Sequence, residues 1–424
     1  MNDLYESFLS ILDEELVIAL GCTEPTAFAL AAAKCREVLG DFPDEIIVRA
    51  SGNMIKNVQG VTIPHTKGLK GIRNVTLLGT LVGDSSLGLK VLEAVTDKHL
   101  EEVTELKHAG ICGYIRKETK AKLYVEVTMR KNDQKASVEL MHTHTNITRV
   151  VKNGVQITHN PCSENDFNSS LTSRSELSVS RIYDFIKNVD YIRLKEILEK
   201  QLIYNNQISQ EGLTNDWGIS VGKTIKNCSH TSQISDEMRA AAAAGSDARM
   251  SGCDLPVVIN SGSGNQGMTI GVPIHVYSEI KKIDEETKYR ALAMANLIPI
   301  HIKTSIGRLS AFCGAVTAAI GVGCAITYLE GGKLKQVENT IRNSVANLTG
   351  VICDGAKSSC ALKIAASLDA AFIAKELSLH DRVVENGTGI ISDDIEVTIS
   401  NMANIAADGM NETDEMIIDI MSNK

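Results

Sequence analysis

Apolar residues near the start of the chain recur at helical spacing. Residues 4–20 place acidic side chains between apolar ones, which predicts an amphipathic helix. Residues 21–22 break this pattern. Pro25 then predicts the start of a second helix that ends near residue 39, because proline is well tolerated in the first helical turn. The chain is therefore expected to begin with two helices.

Between residues 44 and 160 the pattern changes to short runs rich in β-branched residues and separated by turn residues. These runs predict a strand at 45–50, one or two helices within 86–109, a hairpin formed by 122–129 and 136–142, and one or two strands within 148–158 with a turn at Asn153-Gly154. Together they indicate an antiparallel sheet with helices on one face.

A polar segment at residues 163–175 is interpreted as a linker, and helical patterns dominate after it. The fold class that we predict is α+β, with a mostly helical domain and a smaller α+β domain that contains an antiparallel sheet. We expect residues 1–41 to form N-terminal helices that pack with the helical domain. The α+β domain is expected at residues 42–165 and the helical domain at residues 166–424.

Residues 309–329 carry no charged side chain, and a helix of this length is long enough to span a bilayer. The segment consists mostly of Gly, Ala, Thr and Cys, however, and has few large apolar side chains. A buried core helix is therefore the interpretation that we favour.

Charge and cysteine content restrict the class of protein. The chain of 424 residues has a net charge of −9 and no basic stripe, which argues against nucleic acid and anionic membranes as partners. Its N-terminal segment lacks the basic region and cleavage site of a signal peptide. Ten cysteines without an export signal then predict a reducing, cytoplasmic compartment, where metal ligands and catalysts are commoner than disulfides.

Four cysteines in the C-terminal half are candidates for metal binding. Cys353 and Cys360 are separated by six residues, a spacing that brings both thiolates near one point, and Cys313 and Cys324 precede them. Thiolates are soft ligands that suit iron–sulfur clusters or zinc. A buried structural role is the alternative for each of them, since free cysteine is among the most buried residue types.

Cys22 lies immediately before the predicted second helix. The positive end of the helix dipole is expected to lower the pKa of its thiol, which would make it a candidate base or nucleophile. A small residue in a tight turn is the alternative interpretation.

A glycine-rich segment at residues 260–267, NSGSGNQG, follows an apolar run. Its backbone N–H groups can approach an anion closely, and the side chains of Asn265 and Gln266 add donors. The alternative is a flexible turn. Lys357 is a further candidate for contact with a carboxylate, although a solvated lysine is the interpretation that we favour.

The histidines are weaker candidates. His142 and His144 lie two residues apart and would share a strand face, and His65, His230 and His301 are isolated. A structural role is the simpler interpretation of each.

Three motifs together resemble the L-cysteine desulfidase family, relatives of the α-chain of iron–sulfur L-serine dehydratases. They are GCTEPTAFALA at 21–31, SGSGNQG at 261–267, and ICDGAKSSCALK at 352–363 with the preceding Cys313. The resemblance extends over essentially the whole chain. Two departures from the serine dehydratases are the presence of Cys22 in place of a serine-rich segment and the absence of a C-terminal cysteine.

The resemblance implies a lyase that removes the β-substituent of a small L-amino acid, with L-cysteine giving pyruvate, ammonia and hydrogen sulfide. It assigns Cys313, Cys353 and Cys360 to a 4Fe–4S cluster in the helical catalytic domain and Cys22 to the role of base, without pyridoxal phosphate. Ser263, Gly264, Asn265 and Gln266 are then expected to bind the amino-acid substrate. A fourth ligand at Cys324 would leave no open iron. A homodimer is compatible with the sequence.

Three alternatives remain at this point. The same site could act on L-serine or L-threonine, for which hydroxide is a poorer leaving group than hydrosulfide. A non-catalytic iron–sulfur or zinc sensor would have four cysteine ligands and no base at Cys22. A phosphate-handling enzyme is disfavoured, because no Lys-Ser/Thr pair follows the segment 261–267.

Overall fold

A computed structural model describes residues 3–160, 162–165, 171–228 and 233–422. Its α-helices are α1 (Asp3–Glu15), α2 (Thr23–Leu39), α3 (Gly52–Gln59), α4 (Ile72–Val82), α5 (Asp97–Ala109), α6 (Val179–Asn188), α7 (Tyr191–Thr214), α8 (Val221–Cys228), α9 (Ile234–Met250), α10 (Gly264–Lys281), α11 (Glu285–Ile306), α12 (Gly314–Leu329), α13 (Leu334–Asn347), α14 (Cys360–Leu379), α15 (Ile395–Asn404) and α16 (Asn411–Ser422). A 3-10 helix forms at Ser85–Ala94 and a π-helical turn at Ile405–Gly409.

The strands are β1 (Ile18–Leu20), β2 (Glu45–Ala50), β3 (Cys112–Arg116), β4 (Tyr124–Lys131), β5 (Gln134–Met141), β6 (Ile147–Lys152), β7 (Val155–His159) and β8 (Pro256–Val258). Six of them form one sheet in the order β3-β2-β4-β5-β6-β7, and β1 pairs with β8 in a separate two-stranded sheet. The larger sheet is antiparallel except for the parallel pair β2–β3.

The predicted α+β class is confirmed, with a mostly helical part and a smaller part that contains the sheet. The hairpin is also confirmed, because β4 and β5 pair from Tyr124↔Met141 to Lys131↔Gln134. The turn after β6 forms at Asn153 and Gly154, both with positive φ. These features follow from local alternation and turn residues, which a single sequence displays directly.

The helical part is built around α11 and α12, which pack together and are covered by other apolar helices. Residues 315–327 of α12 are all buried, so the prediction of a core helix in the uncharged segment is confirmed there. In the part of the chain that the structure describes, no single helix is long and apolar enough to cross a membrane. The bent pair Ile72–Val82 and Ser85–Ala94 meets the criterion of length and composition only when both are taken together.

The first forty residues differ from the prediction in two respects. The expected helix at residues 4–20 ends at Glu15, and Ile18–Leu20 forms β1. The sequence did not predict this strand, because its partner β8 lies far away in sequence and the pairing leaves no local pattern. Helix α1 packs with the helical part as expected, but α2 packs on β4 and β5 through an alanine-rich buried face. The expected domain boundaries remain a prediction, and residues 166–170 of the expected linker lie outside the described residues.

Close packing of α2 on α4 generates a test of the fold. A Cβ atom at Gly79 would lie 2.2 Å from the carbonyl oxygen of Ala29, which belongs to the backbone of α2 and cannot move aside. We expect Gly79→Ala to lower the free energy of unfolding by about 1–3 kcal/mol, the usual cost of overpacking. Gly113→Ala is the control, because no atom lies within 4 Å of its added Cβ. Equal denaturation midpoints in urea for both variants would contradict this packing.

Candidate functional site

Two short strands bring the segment around Cys22 beside the glycine-rich segment. Strand β1 pairs antiparallel with β8, so that Leu20 lies opposite Pro256. Each strand leads within a few residues into a helix, α2 after β1 and α10 after β8. The Thr23 hydroxyl donates to the carbonyl oxygen of Gly262 at 2.8 Å and ties the two helix starts together.

A second backbone pairing joins the C-terminal cysteines. The amide of Cys313 donates to the carbonyl of Val351 at 2.7 Å, and the amide of Cys353 donates to the carbonyl of Ala311 at 2.6 Å. Cys313 is the N-cap of α12, and Cys360 is the first residue of α14. The three predicted ligands therefore come from one loop pairing and the two helices that follow it.

Both groups of residues line one cavity of about 80 Å³. Its polar and sulfur-bearing lining includes Cys22, Glu24, Asn53, Lys56, Asn57, Arg249, Ser263, Asn265, Gln266, Lys303, Arg308, Ser310, Cys313, Cys353 and Cys360. The N-termini of α2, α10, α12 and α14 meet at this cavity. The positive ends of four helix dipoles therefore lie at one cavity, which favours the binding of negatively charged groups there.

Four basic side chains add to this positive field, and all four are fixed by hydrogen bonds. Arg308 donates both of its terminal nitrogens to Glu15 at 2.9 Å each. Arg249 donates to the carbonyl of Gly21 at 3.0 Å and to the side-chain oxygen of Asn265 at 3.1 Å.

The other two basic side chains are lysines. Lys303 is buried, and burial lowers the pKa of its ammonium group to about 8. Lys56 donates to the carboxylate of Asp414 at 2.6 Å and to the carbonyl of Cys353 at 3.1 Å. This lysine therefore connects α3, α16 and the loop that carries Cys353.

The expected lowering of the Cys22 pKa is wrong. Complete burial raises the pKa of the Cys22 thiol, and the neighbouring Glu24 carboxylate raises it further. The thiol donates to Glu24 Oε2 at 2.9 Å. Burial and one carboxylate therefore outweigh the helix dipole and Arg249, and the thiol has a proton acceptor in direct contact.

The cysteine pair at the loop behaves differently. A hydrogen bond from Cys313 lowers the pKa of Cys353, with a contribution from the charge of Lys56, while the same contact raises the pKa of Cys313. One thiolate is thus stabilised in a buried position, which is the protonation state that a metal ligand requires.

The donor set fits an iron–sulfur cluster better than a single ion. Among the described residues, no group of three or more His, Cys, Asp or Glu side chains is arranged to hold one metal ion. A 4Fe–4S cluster takes one thiolate per iron, so its ligands need to border one cavity without converging on one atom. Cys313, Cys353 and Cys360 border one cavity, and the four positive helix ends suit the negative charge of a thiolate-bound cluster.

The structure brings most of the candidate residues together. Ser263, Asn265 and Gln266 line the cavity with the cysteines, and Gly264 is the first residue of α10 beside them. Cys324 does not line it: this thiol is buried inside α12 and faces the carbonyl of Val337.

Of the weaker candidates, which are Lys357 and the histidines, some lie near the cavity and others lie elsewhere in the fold. Lys357 pairs with Asp354. His144 is completely buried next to Gly262, and burial lowers the pKa of its imidazole to about 4. Three other histidines make separate contacts, namely His65 with Asp254, His142 with Ser163 and His301 with Glu396. His230 lies outside the described residues.

Sequence reasoning missed the contribution of α3. Asn53, Lys56 and Asn57 lie at positions i, i+3 and i+4 of a short helix and all line the cavity. This polar stripe within an otherwise apolar segment was the available signal. Glu24 was also visible within the motif at 21–31, but only the structure shows its contact with Cys22.

A comparison with known families identifies the chain. Residues 86–419 match the family described as "serine dehydratase alpha chain". The chain belongs to the serine dehydratase alpha-chain family. The matched range includes the three loop cysteines and the glycine-rich segment, whereas Cys22 and α3 precede it.

Relatives of this family member match along its whole length. A "UPF0597 protein" of Lachnoclostridium phytofermentans is 47% identical over 420 residues, which cover 99% of this chain and all of the relative. "UPF0597 proteins" of Finegoldia magna and Fusobacterium nucleatum are 45% and 43% identical over 426 residues each, covering 99% and 100% of this chain and all of each relative. The chain is therefore similar to these proteins over essentially the whole of each sequence.

The pair Lys56–Asp414 generates a test of how the site is held together. Both side chains are almost fully buried, so removal of the carboxylate leaves a buried ammonium without a counter-ion. We expect Asp414→Ala to destabilise the protein by about 3–5 kcal/mol in chemical denaturation. The control Asp419→Ala removes an exposed partner of Arg116 and should cost about 1 kcal/mol or less. Equal losses in the two variants would show that the buried pair is not a structural link.

Proposed function

We propose that this protein is a lyase that removes the β-substituent of a small L-amino acid, with L-cysteine converted to pyruvate, ammonia and hydrogen sulfide. Cys313, Cys353 and Cys360 would hold a 4Fe–4S cluster. The observation that carries the proposal is the meeting of these three cysteines, Cys22 and four helix N-termini at one buried cavity. Membership of the serine dehydratase alpha-chain family supports a lyase.

The substrate carboxylate is assigned to the N-terminus of α10. Free backbone N–H groups in the first turn of a helix bind carboxylates, and the side chains of Asn265 and Gln266 lie at this end. Arg249 already donates to Asn265 and supplies a positive charge beside it. The carboxylate is thus held at the glycine-rich segment, and the rest of the small substrate extends into the cavity.

Proton removal from the α-carbon is assigned to Cys22. Its thiol donates to Glu24, so that transfer of the thiol proton to this carboxylate leaves a thiolate next to the substrate. The thiolate then accepts the α-proton, the electron pair forms the α,β double bond, and the bond to the β-substituent breaks. A bound cluster would supply Lewis-acid chemistry that assists the departure of the β-substituent. Aminoacrylate is released, tautomerises and hydrolyses to pyruvate and ammonia, without pyridoxal phosphate.

L-Serine is the second candidate substrate, because the matching family is described as a serine dehydratase chain. The motif with Cys22 favours L-cysteine through its resemblance to the desulfidases. Anaerobic assays of sulfide released from L-cysteine and of pyruvate formed from L-serine separate the two. A larger kcat/KM for L-serine would replace the proposed substrate but keep the reaction class.

The proposed cluster has a direct test. Anaerobically reconstituted protein should contain about four irons and four sulfides per chain, and alanine at Cys313, Cys353 or Cys360 should abolish the absorbance of the cluster. Cys324→Ala is the matched control, since this thiol is buried away from the cavity, and it should retain the absorbance. Zinc without sulfide-bridged iron in the reconstituted protein would refute the assignment.

The role of Cys22 is tested by Cys22→Ser. A serine hydroxyl is far too weak an acid to replace a thiolate, so turnover should fall by about 10² to 10⁴, together with exchange of the α-proton in deuterium oxide. The absorbance of the cluster should persist. Loss of the cluster would instead identify Cys22 as a fourth ligand, and full activity would assign the base to another residue.

A further inference from the structure

Three amide side chains at the cavity have an oxygen that is buried and lacks a hydrogen-bond partner. They are Asn53 Oδ1, Asn57 Oδ1 and Gln266 Oε1. Buried polar atoms are normally hydrogen bonded, because water is no longer available to them. Three unpartnered acceptors at one small cavity therefore indicate a group of donors that belongs there.

The orientation of the two asparagines follows from their partners. Asn53 donates its amide nitrogen to Asp414 Oδ2 at 2.9 Å, and Asn57 donates its amide nitrogen to Glu24 Oε1 at 3.2 Å. An ionised carboxylate only accepts hydrogen bonds, so each amide must present its NH₂ group to the carboxylate and turn its oxygen away. Because the two residues are four apart on α3, they lie on the same face of the helix.

Gln266 approaches the same cavity from α10. Its amide packs so closely on the start of α12 that a Cβ atom at Gly314 would lie 2.4 Å from Gln266 Cδ. Glycine at this position leaves room for the amide next to Cys313. The third acceptor is therefore held in place by packing on a second element of the site.

The cavity has groups of opposite polarity. Glu24 and the amide oxygens of Asn53 and Asn57 attract a cation, whereas Arg249 and the N-terminus of α10 attract an anion. Lys56 lies between the two asparagines, but its ammonium group is already bound by Asp414 and by the carbonyl of Cys353. A ligand with an ammonium group and a carboxylate separated by one carbon matches this arrangement.

We propose that Asn53, Asn57 and Gln266 form the binding site for the α-ammonium group of the substrate, so that the protein recognises zwitterionic α-amino acids and rejects hydroxy acids. This inference rests on the proposed function, because the lyase reaction and the ammonium site both require that the substrate binds in this cavity. An ammonium group has three N–H donors, which equals the number of unpartnered acceptors. An analogue without these donors leaves the buried oxygens unpaired, and sites of this kind discriminate strongly against such analogues.

The test uses two ligands that differ only at this group. L-Alanine and L-lactate share the carboxylate and the methyl group, and neither has a β-substituent that can leave. Calorimetric titration of the cluster-loaded protein under anaerobic conditions should show L-alanine binding at least tenfold more tightly than L-lactate. Asn57→Leu and Gln266→Leu should each weaken binding of L-alanine by about tenfold or more, because a charge-assisted hydrogen bond is lost. Asn57→Leu should leave binding of L-lactate unchanged, because Asn57 belongs to α3 and not to the start of α10, where the carboxylate is assigned. Gln266→Leu should weaken binding of L-lactate less than binding of L-alanine.

Asn74→Leu is the matched control. Asn74 is also buried, has an unpartnered amide oxygen and donates its amide nitrogen at 2.7 Å to the carbonyl of Lys70, but it lines a separate cleft. This variant should bind both ligands as the unmodified protein does. The two substituted residues lie on different helices. If one variant fails to fold, the other can still be used to test the proposal.

Two outcomes would overturn the proposal. One is equal affinity of the unmodified protein for L-alanine and L-lactate, and the other is an equal loss of both affinities in the Asn57 and Gln266 variants. Because neither ligand can undergo elimination, the result is independent of the proposed reaction. Discrimination between the ligands without sulfide release from L-cysteine would support the ammonium site and refute the desulfidase function.

Discussion

Two short backbone pairings position the four helix N-termini of the candidate site. Strand β1 pairs with β8, and the loop at Cys313 pairs with the loop at Cys353 through only two hydrogen bonds. Each pairing is followed at once by helices, so it fixes where those helices begin. Four helix N-termini consequently face one cavity, although their helices belong to distant parts of the sequence.

The electrostatics of the cavity follow from this geometry. Helix dipoles and buried basic side chains create a positive environment that favours thiolates and carboxylates. Cys22 departs from this trend, because Glu24 lies in contact with it and burial disfavours its charged form. Within one site, the pKa of Cys353 is therefore lowered and the pKa of Cys22 is raised. The proposed roles as ligand and as base therefore differ through the partners of each cysteine and not through the residue type.

Local patterns predicted the local features of the fold. Alternation and turn residues gave the hairpin of β4 and β5, and Pro25 with its alanine-rich sequence gave α2. Features that depend on distant partners were missed: β1 has only three residues and forms through β8, and α2 packs on the sheet instead of the helical part. Periodicity along one segment contains no information about the segment that will cover it.

In the candidate site, too, local features were predicted and features that depend on distant residues were missed. Spacing alone related Cys353 to Cys360, whereas the meeting of these residues with Cys313 and Cys22 was expected only through the family resemblance. The pKa of Cys22 was misjudged because the helix dipole is visible in the sequence and burial is not. Asn53 and Asn57 were overlooked because their orientation at the cavity depends on two carboxylates, Glu24 and Asp414, which accept hydrogen bonds from their amide nitrogens.

The contact of Lys56 with Asp414 also bears on the order in which the protein is made. These residues are separated by 358 positions, and Lys56 links Asp414 to the loop at Cys353. A ribosome releases Cys22 and α3 early and Asp414 only after nearly all the other groups of the site. The contact of Asp414 with Lys56 and the loop at Cys353 can therefore form only late in synthesis, after nearly all of the helical part has been translated.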